Sequence, residues 1–193
     1  MPDFTTGAES GTLSTIPATL ADLDGLVHIE EQSFSAPWSR KMFEAELTGN
    51  PFAQLWTAWS PGHLGGPDLI GYVCFWVVFE ELRLMNLAVI SSWRRRGAGR
   101  ELVRRVLAWG RDNGARRALL EVRASNIAAM QLYQQAGFRV LGRRERYYTN
   151  PIEDAVLMGL EPISLGAPRS SGHDLGAHVI TEEVRDAVRH SDQ

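Results

Sequence analysis

The sequence predicts an α/β domain, more exactly a mixed α+β three-layer sandwich in which one mixed sheet carries helices on both faces. The chain has 193 residues, 44% of them hydrophobic, which suffices for one domain with a sizeable core. Short apolar runs rich in β-branched residues alternate with segments of helical period, and turns containing glycine or proline separate them. The predicted order of elements is β-α-α-β-β-β-α-β-α-β-β.

The first half of this order contains one strand, two short helices and three further strands. The first strand is predicted at residues 13–18, and Thr19 or Asp22 can cap the helix that follows. Ser39 can cap the second helix, which Gly49 ends. The further strands are predicted at residues 52–59, 69–79 and 84–90, with a turn at 60–68 and a hairpin at 80–81.

The second half begins with an amphipathic helix that ends at residues 113–114. Its apolar stripe consists of Leu102, Val103, Val106 and Leu107. A strand at residues 118–123 follows, and then a short helix that Ser125 or Asn126 can cap and Gly137 ends. Two final strands, at 138–141 and 155–160, are joined by a polar, tyrosine-bearing segment at 142–154.

Both ends of the chain differ in composition from the predicted domain at residues 13–160. Residues 1–12 are small and polar and are expected to form a disordered lead-in. Glycine, proline and serine dominate from residue 161 to 176, which indicates a linker. The rest of the segment 161–193 contains apolar residues spaced for one short helix, and no function can be assigned to it.

The segment Arg94-Arg95-Arg96-Gly97-Ala98-Gly99-Arg100 lies between a predicted strand and the start of a helix. The first N–H groups of a helix have no intrahelical partner, and glycines let phosphate oxygens approach them closely. The segment can therefore bind an anion, or it can be an ordinary glycine turn beside a solvated basic face. It is neither a P-loop nor a dinucleotide fingerprint, because Leu102 stands where the third glycine would be.

Composition excludes several classes of protein. The net charge is −3, although arginines are clustered at residues 94–96, 104–105, 116–117 and 143–146. Cys74, the only cysteine, cannot form an internal disulfide, and the five histidines show no metal-binding spacing. We find neither a signal peptide nor a membrane-spanning stretch. The expectation is a soluble, cytoplasmic protein without a metal site.

Glu121 and Tyr133 are candidates for proton transfer. Glu121 lies inside an apolar strand, where partial desolvation would strengthen it as a base. The local pattern alone favours a glutamate that faces water and pairs with Arg123 or Arg116. Tyr133 lies two helical turns after the Asn126 cap and can donate a proton, but a tyrosine on a short helix is more often a core residue.

The basic glycine loop at residues 94–99 resembles the pyrophosphate loop, Gln/Arg-x-x-Gly-x-Gly/Ala, of the GNAT superfamily of acyl-CoA-dependent N-acetyltransferases. The resemblance implies the GNAT fold, and acetyl-CoA as the cofactor with its diphosphate on the loop and its thioester against the preceding strand. The residues that it implies in coenzyme A binding are Leu87, Ala88, Val89, Arg94, Arg95, Arg96, Gly97, Ala98, Gly99, Arg100 and Asn126.

Further motifs resemble the RimI-type branch, whose members acetylate the N-terminal alanine of a small-subunit ribosomal protein. These motifs are Pro37-Trp38-Ser39, residues 86–89, residues 120–126, Leu132-Tyr133 with Gly137-Phe138, and Arg144-x-x-Tyr147-Tyr148. The branch implies that Glu121 is the general base and Tyr133 the general acid. A peptide N-terminus would enter between Pro37-Trp38 and Tyr147-Tyr148, and a monomer would transfer the acetyl group directly, without an acyl-enzyme.

Other functions stay open at this stage. A relative of these enzymes could acetylate other protein N-termini, small amines or antibiotics. From another class, a ribosome- or RNA-binding module could use the arginine clusters to contact phosphates. The negative net charge and the lack of an aromatic-basic RNA motif argue against direct nucleic-acid binding.

Overall fold

A computed structural model describes residues 13–61 and 68–163 of the chain. The helices are α1 (Leu23–Ser33), α2 (Arg40–Thr48), α3 (Ala98–Asp112) and α4 (Ile127–Gln135). The strands are β1 (Ser14–Pro17), β2 (Ala53–Ser60), β3 (Asp68–Val78), β4 (Glu81–Val89), β5 (Arg117–Arg123), β6 (Arg139–Thr149) and β7 (Ile152–Leu160). This order confirms the predicted fold class and sequence of elements. The predicted lead-in, most of the 60–68 turn and the predicted C-terminal helix lie outside the described residues.

The predicted capping residues lie at the starts of the first two helices, but only one of them caps its helix through a side-chain hydrogen bond. Thr19 donates from its backbone N–H to Asp22 Oδ2 at 2.7 Å, a contact of the 3₁₀ turn Leu20–Asp22 that leads into α1, whereas Asp22 makes no side-chain cap bond to α1 itself. Ser39 Oγ accepts from the Met42 N–H at 3.4 Å at the start of α2. The Ser39 contact satisfies an N–H group that the helix leaves unpaired, and it stabilises α2 by about 1 kcal/mol.

The seven strands form one sheet in the order β1-β2-β3-β4-β5-β7-β6, with an apolar cluster on each face. On one face, the predicted stripe of α3 is buried: Leu102, Val103, Val106 and Leu107 are each at most 4% exposed. Burial of each such side chain stabilises the fold by about 1.5–3 kcal/mol. On the other face, α1 and α2 cover the centre of β3 through Leu26, Phe43 and Tyr72.

The sheet divides at its centre. β4 and β5 are parallel, and their pairing extends from Glu81 opposite Arg117 to Leu84 opposite Leu120, where it ends. Beyond that point β4 remains paired with β3, and β5 remains paired with β7. A bulge in the β3–β4 pairing, at Met85, coincides with the separation. The two strands therefore leave a cleft that is open toward the start of α3.

The prediction that residues 142–154 form a connecting segment is wrong. They belong to a long hairpin in which β6 continues to Thr149, and only a short turn at 150–151 separates it from β7. β6 is an edge strand and most of its residues are exposed on both faces, so its sequence lacks the alternation of apolar and polar residues that a half-buried strand shows. Two register irregularities, one of them between Arg144 and Tyr148, interrupt its pairing.

No helix within the described ranges 13–61 and 68–163 is long and apolar enough to cross a membrane.

Candidate active site

The glycine loop leads into α3 at the open end of the cleft. Gly97 has a φ of +89°, in the left-handed region that favours glycine. The first backbone bond of α3 runs from the Glu101 N–H to the Gly97 carbonyl at 2.9 Å, so the N–H groups of Ala98, Gly99 and Arg100 precede the intrahelical ladder. A Cβ on Gly97 would meet only the Arg100 guanidinium, at 3.9 Å. The loop thus presents accessible backbone donors to an anion.

Arg94, the first of the loop arginines, has a structural role that the sequence did not predict. Its Nε donates to the Val89 carbonyl at 2.8 Å, and its Nη2 donates to Ser33 Oγ at 3.3 Å. The side chain therefore ties the end of β4 to the end of α1 instead of moving freely near a ligand.

The remaining loop arginines are exposed. The Arg96 guanidinium lies 5.4 Å from the centre of the Trp93 ring, in a cation–π contact. Arg95 and Arg100 form no ion pair with any residue in the described part of the chain. These two side chains are the ones most available to neutralise an anion at the helix N-terminus.

The backbone of β4 presents donors to the cleft at alternate residues. The Ile90 N–H donates to the Ile70 carbonyl of β3, and Ala88 pairs with Tyr72 two residues earlier. Because N–H groups alternate between the two edges of a strand, Leu87 and Val89 direct theirs away from β3 and toward the cleft. The Ala88 N–H is directed at β3, so of the three predicted strand residues only two can offer an amide to a ligand.

Glu121 lies on β5, just beyond the last residue paired with β4. Its side chain is 21% exposed, and its Oε1 lies 2.7 Å from Arg144 Nη1 on β6. The partners that local pattern suggested, Arg123 and Arg116, pair with other carboxylates. The true partner, Arg144, lies in the part of β6 that was predicted to be a connecting segment, which is why sequence spacing could not identify it.

Tyr148 lies between the two candidate groups, close enough to interact electrostatically with Tyr133 and to feel the charge of Glu121. Burial, together with the nearby Tyr148, raises the pKa of Tyr133 well above its usual value, so Tyr133 keeps its proton at physiological pH. Burial and then the negative charge of Glu121 raise the pKa of Tyr148 to about 12. The Arg123 guanidinium covers the Tyr148 ring at 4.1 Å from its centre.

The N-terminus of α4 completes this end of the cleft. Asn126 Oδ1 accepts from the Ala129 N–H at 3.1 Å, which confirms Asn126 as the cap. The preceding Ser125 N–H donates to Glu153 Oε1 on β7 at 2.5 Å. The cap thus holds the helix that carries Tyr133 against the β5–β7 side of the sheet.

The two predicted borders of the peptide entrance come together in the structure. The α1–α2 loop, residues 34–39, contacts the β6–β7 turn through Ser35 Oγ, which donates to the Asn150 carbonyl at 3.3 Å. The Tyr147 and Tyr148 rings lie 5.2 Å apart beside that turn. The Trp38 ring packs on Phe43 at 5.5 Å, and Pro37 is exposed.

Sequence analysis did not identify Glu30, although this residue is central to the α1–α2 loop. Glu30 is only 1% exposed, and its Oε1 accepts from the Trp38 N–H at 2.8 Å. The signal was present: Glu30 lies four residues after Leu26 and seven after Leu23, on the buried stripe of α1. A carboxylate at such a position needs specific hydrogen-bond donors.

Neither metal-ion chemistry nor nucleophilic catalysis by a cysteine is supported by the described residues. No group of three or more His, Cys, Asp or Glu side chains within ranges 13–61 and 68–163 is arranged to hold a metal ion. Cys74 is completely buried, and burial raises the pKa of its thiol well above the usual value. A buried, protonated thiol is a poor nucleophile.

Comparisons with known proteins agree with this geometry. The model of the acetyltransferase (GNAT) family matches residues 23–138. A relative from Bacillus subtilis (strain 168) is 36% identical over 139 residues, which cover 72% of this chain and 89% of that protein. The ribosomal protein bS18-alanine N-acetyltransferase of Escherichia coli (strain K12) is 34% identical over 156 residues, or 80% of this chain and 99% of the relative.

The fold agrees as well. The crystal structure of the ribosomal-protein-S18-alanine N-acetyltransferase from Escherichia coli superposes with a TM-score of 0.69 at 30% identity, covering 83% of this chain and all of that one. The divided sheet, the glycine loop and the family match lead to one conclusion: the chain belongs to the GNAT family of acetyltransferases.

Proposed function

We propose that this chain is an acetyl-CoA-dependent N-α-acetyltransferase that acetylates the N-terminal alanine of ribosomal protein bS18. The relatives from Bacillus subtilis and Escherichia coli align over most of their length, and both carry this activity in their names. The observation that carries the proposal is the cleft between β4 and β5, which begins beyond Leu84 and Leu120 and has Glu121 on its wall.

The residues of the cleft fit acetyl-CoA. The donors that a diphosphate requires are the N–H groups of Ala98, Gly99 and Arg100 and the side chains of Arg95 and Arg100, which form no ion pair within residues 13–61 and 68–163. Gly99 also brings the start of α3 close to its neighbours, because a Cβ there would lie 3.3 Å from the Leu132 side chain of α4. When bound, the cofactor supplies an activated acetyl thioester.

Each remaining task falls to a residue of the chain. Glu121 accepts a proton from the incoming ammonium, directly or through a water molecule, because only the neutral amine has a lone pair for attack. The Leu87 and Val89 N–H groups stabilise the negative charge that develops on the carbonyl oxygen. Tyr133, whose proton is retained through burial, protonates the departing thiolate.

The acceptor peptide would lie between Pro37-Trp38 and Tyr147-Tyr148, where the Ser35–Asn150 contact brings two loops together. Direct transfer in a ternary complex follows from the burial of Cys74, which leaves no thiol to carry the acetyl group. The proposal includes a cytoplasmic monomer, because ribosomal proteins are made in the cytoplasm and one chain supplies Glu121 and Tyr133. Asn126 is proposed to contact the cofactor from the start of α4.

Mass spectrometry of acetylated products tests this function. The purified chain, with acetyl-CoA, is offered a peptide with the N-terminal sequence of bS18, the same peptide with a blocked N-terminus, and a polyamine. We expect acetylation of the free N-terminal peptide alone. Preferential acetylation of the polyamine would assign the chain to small-amine acetyltransferases, and tight RNA binding that persists in saturating acetyl-CoA would favour an RNA-binding module.

A further inference from the structure

Glu30 on α1 is the most buried carboxylate within the described residues, and it is not part of the cleft. It accepts three hydrogen bonds from three separate parts of the fold. Oε1 accepts from the Trp38 N–H at 2.8 Å and from Asn86 Nδ2 at 3.1 Å, and Oε2 accepts from the Tyr72 hydroxyl. Burial raises its pKa, while the three donors act in the opposite direction.

Two of these three donors belong to the elements that must meet for acetyl transfer. Trp38 lies in the α1–α2 loop that borders the peptide entrance. Asn86 lies on β4 between the Met85 bulge and Leu87, whose N–H is directed into the cleft. A single buried carboxylate thus joins the backbone of the peptide loop to the strand beside the thioester site.

The third donor anchors this carboxylate to the core. Tyr72 is completely buried in the middle of β3 and packs edge-on against Phe43, with ring centres 5.4 Å apart. The Trp38 ring packs on the same Phe43. Both the backbone and the side chain of Trp38 therefore contact buried residues of the core.

We propose that Glu30 is a positioning residue, which sets the distance between the peptide-binding loop at Trp38 and the thioester-binding strand at Leu87. The kinetic part of this inference rests on the proposed function. Its structural part, the fixing of the Trp38 backbone by the Glu30 carboxylate, does not.

Two conservative variants of Glu30 distinguish the effect of the position of its acceptor oxygens from the effect of its negative charge. Glu30→Gln keeps an acceptor oxygen where Trp38 and Asn86 donate, and the Tyr72 hydroxyl can rotate to accept from the new amide. Glu30→Asp keeps the negative charge but withdraws the oxygens by one methylene. Because a misplacement of about 1 Å can cost as much as 100-fold in rate, we expect Glu30→Asp to raise the peptide KM about tenfold. In Glu30→Gln, the peptide KM should remain within about threefold of the wild-type value.

Glu46 provides the matched control. Like Glu30, it is a carboxylate whose pKa is raised by burial, and it accepts from the Trp76 indole N–H at 2.7 Å and from Asn50 Nδ2 at 3.0 Å. None of these groups borders the cleft. Glu46→Asp should also withdraw an acceptor from its two donors and lower stability, and it should leave the peptide KM unchanged.

Three measurements are made on the full chain: peptide kinetics, the acetyl-CoA Kd by calorimetry, and hydrogen exchange of the Trp38 amide by NMR. We expect Glu30→Asp to raise the peptide KM and to accelerate Trp38 exchange about tenfold, with the acetyl-CoA Kd unchanged. Wild-type values of KM and exchange in Glu30→Asp would overturn the proposal. So would an equal rise of KM in Glu46→Asp, or a loss in Glu30→Gln as large as in Glu30→Asp. If wild type does not acetylate the peptide, the proposed function fails, and the exchange rates still decide whether Glu30 fixes the loop.

Discussion

The two sides of the cleft are built in different ways. The cofactor side, consisting of β4, the glycine loop and α3, presents mainly backbone donors backed by buried apolar residues such as Leu102 and Val103. The acceptor side, consisting of the α1–α2 loop and the β6–β7 hairpin, presents charged and aromatic side chains joined by ion pairs and ring contacts.

This difference indicates how each side fails. Backbone donors keep their place through many side-chain substitutions, but they depend on the backbone conformation of a few residues such as Gly97. On the acceptor side, each contact depends on one particular side chain, and a substitution there removes that contact. Substitutions should therefore affect acetyl-CoA binding on the first side and peptide turnover on the second.

The largest effect is expected where the two sides meet, at Glu121. Glu121→Gln retains the shape of the side chain and an oxygen for Arg144, but it removes the base. We expect kcat at neutral pH to fall by about 10²–10⁴-fold, the contribution usual for general base catalysis, with an unchanged acetyl-CoA Kd. Steady-state kinetics over a pH range and calorimetry measure both. A pH–rate profile identical to that of wild type would remove Glu121 from the mechanism.

On the cofactor side, Gly97→Ala tests the dependence on backbone conformation. There is room for the added Cβ, but a φ of +89° is strained for alanine and costs about 1–2 kcal/mol. If the loop changes conformation to relieve this strain, the acetyl-CoA Kd should rise about tenfold, in proportion to that cost. Gly142→Ala on β6, where a Cβ would meet nothing within 4 Å and φ is not positive, should leave the Kd unchanged and should not lower the Tm.

On the acceptor side, Arg144→Gln removes the cation that holds Glu121 in place at 2.7 Å. The pair is partly exposed, so its loss should cost about 1 kcal/mol or less, equivalent to a severalfold decrease in kcat/KM for the peptide. The acetyl-CoA Kd should stay the same. Arg143→Gln is the control, since Arg143 pairs with Asp154 at 3.6 Å. Equal losses in the two variants would indicate a general effect of charge on the hairpin.

The smallest effect is expected on α3, outside the cleft. The side-chain hydrogen bond from Arg104, aided by Arg105, lowers the pKa of Glu101 from 4.5 to about 2. A depressed carboxyl pKa stabilises the folded state above the unfolded value and loses that effect as the pH falls toward about 2. Arg104→Gln should thus reduce the free energy of unfolding by less than about 1 kcal/mol at neutral pH, after screening by solvent, and by almost nothing near pH 2. Urea denaturation at both pH values measures the difference.

The same contrast explains what the sequence could predict. The stripe of α3, the Ser39 and Asn126 caps and the glycine turn at Gly97 are local signals, because spacing within a few residues determines them. These signals were sufficient for the fold class and for the start of α3, whereas the coenzyme A-binding roles came from the family resemblance and stay predictions.

The acceptor side depends on contacts between residues far apart in the chain. Arg144 meets Glu121 across a sheet, and Glu30 meets Asn86, 56 residues away. The part of β6 beyond residue 141 escaped prediction because an exposed edge strand has no buried face to impose a period on its sequence. The roles of Glu121 and Tyr133 came from resemblance to a family, since the local pattern alone favoured other interpretations.

The end of the β4–β5 pairing at Leu84 and Leu120 has one further consequence. Without a ligand, the sheet has a gap between β4 and β5, and a ligand that fills this gap binds only the folded state. Bound acetyl-CoA should therefore raise the free energy of unfolding, by about 2.7 kcal/mol when it is present at 100 times its Kd. The Tm should rise accordingly. The lifetime of this protein in a cell would then follow the supply of its own acetyl donor.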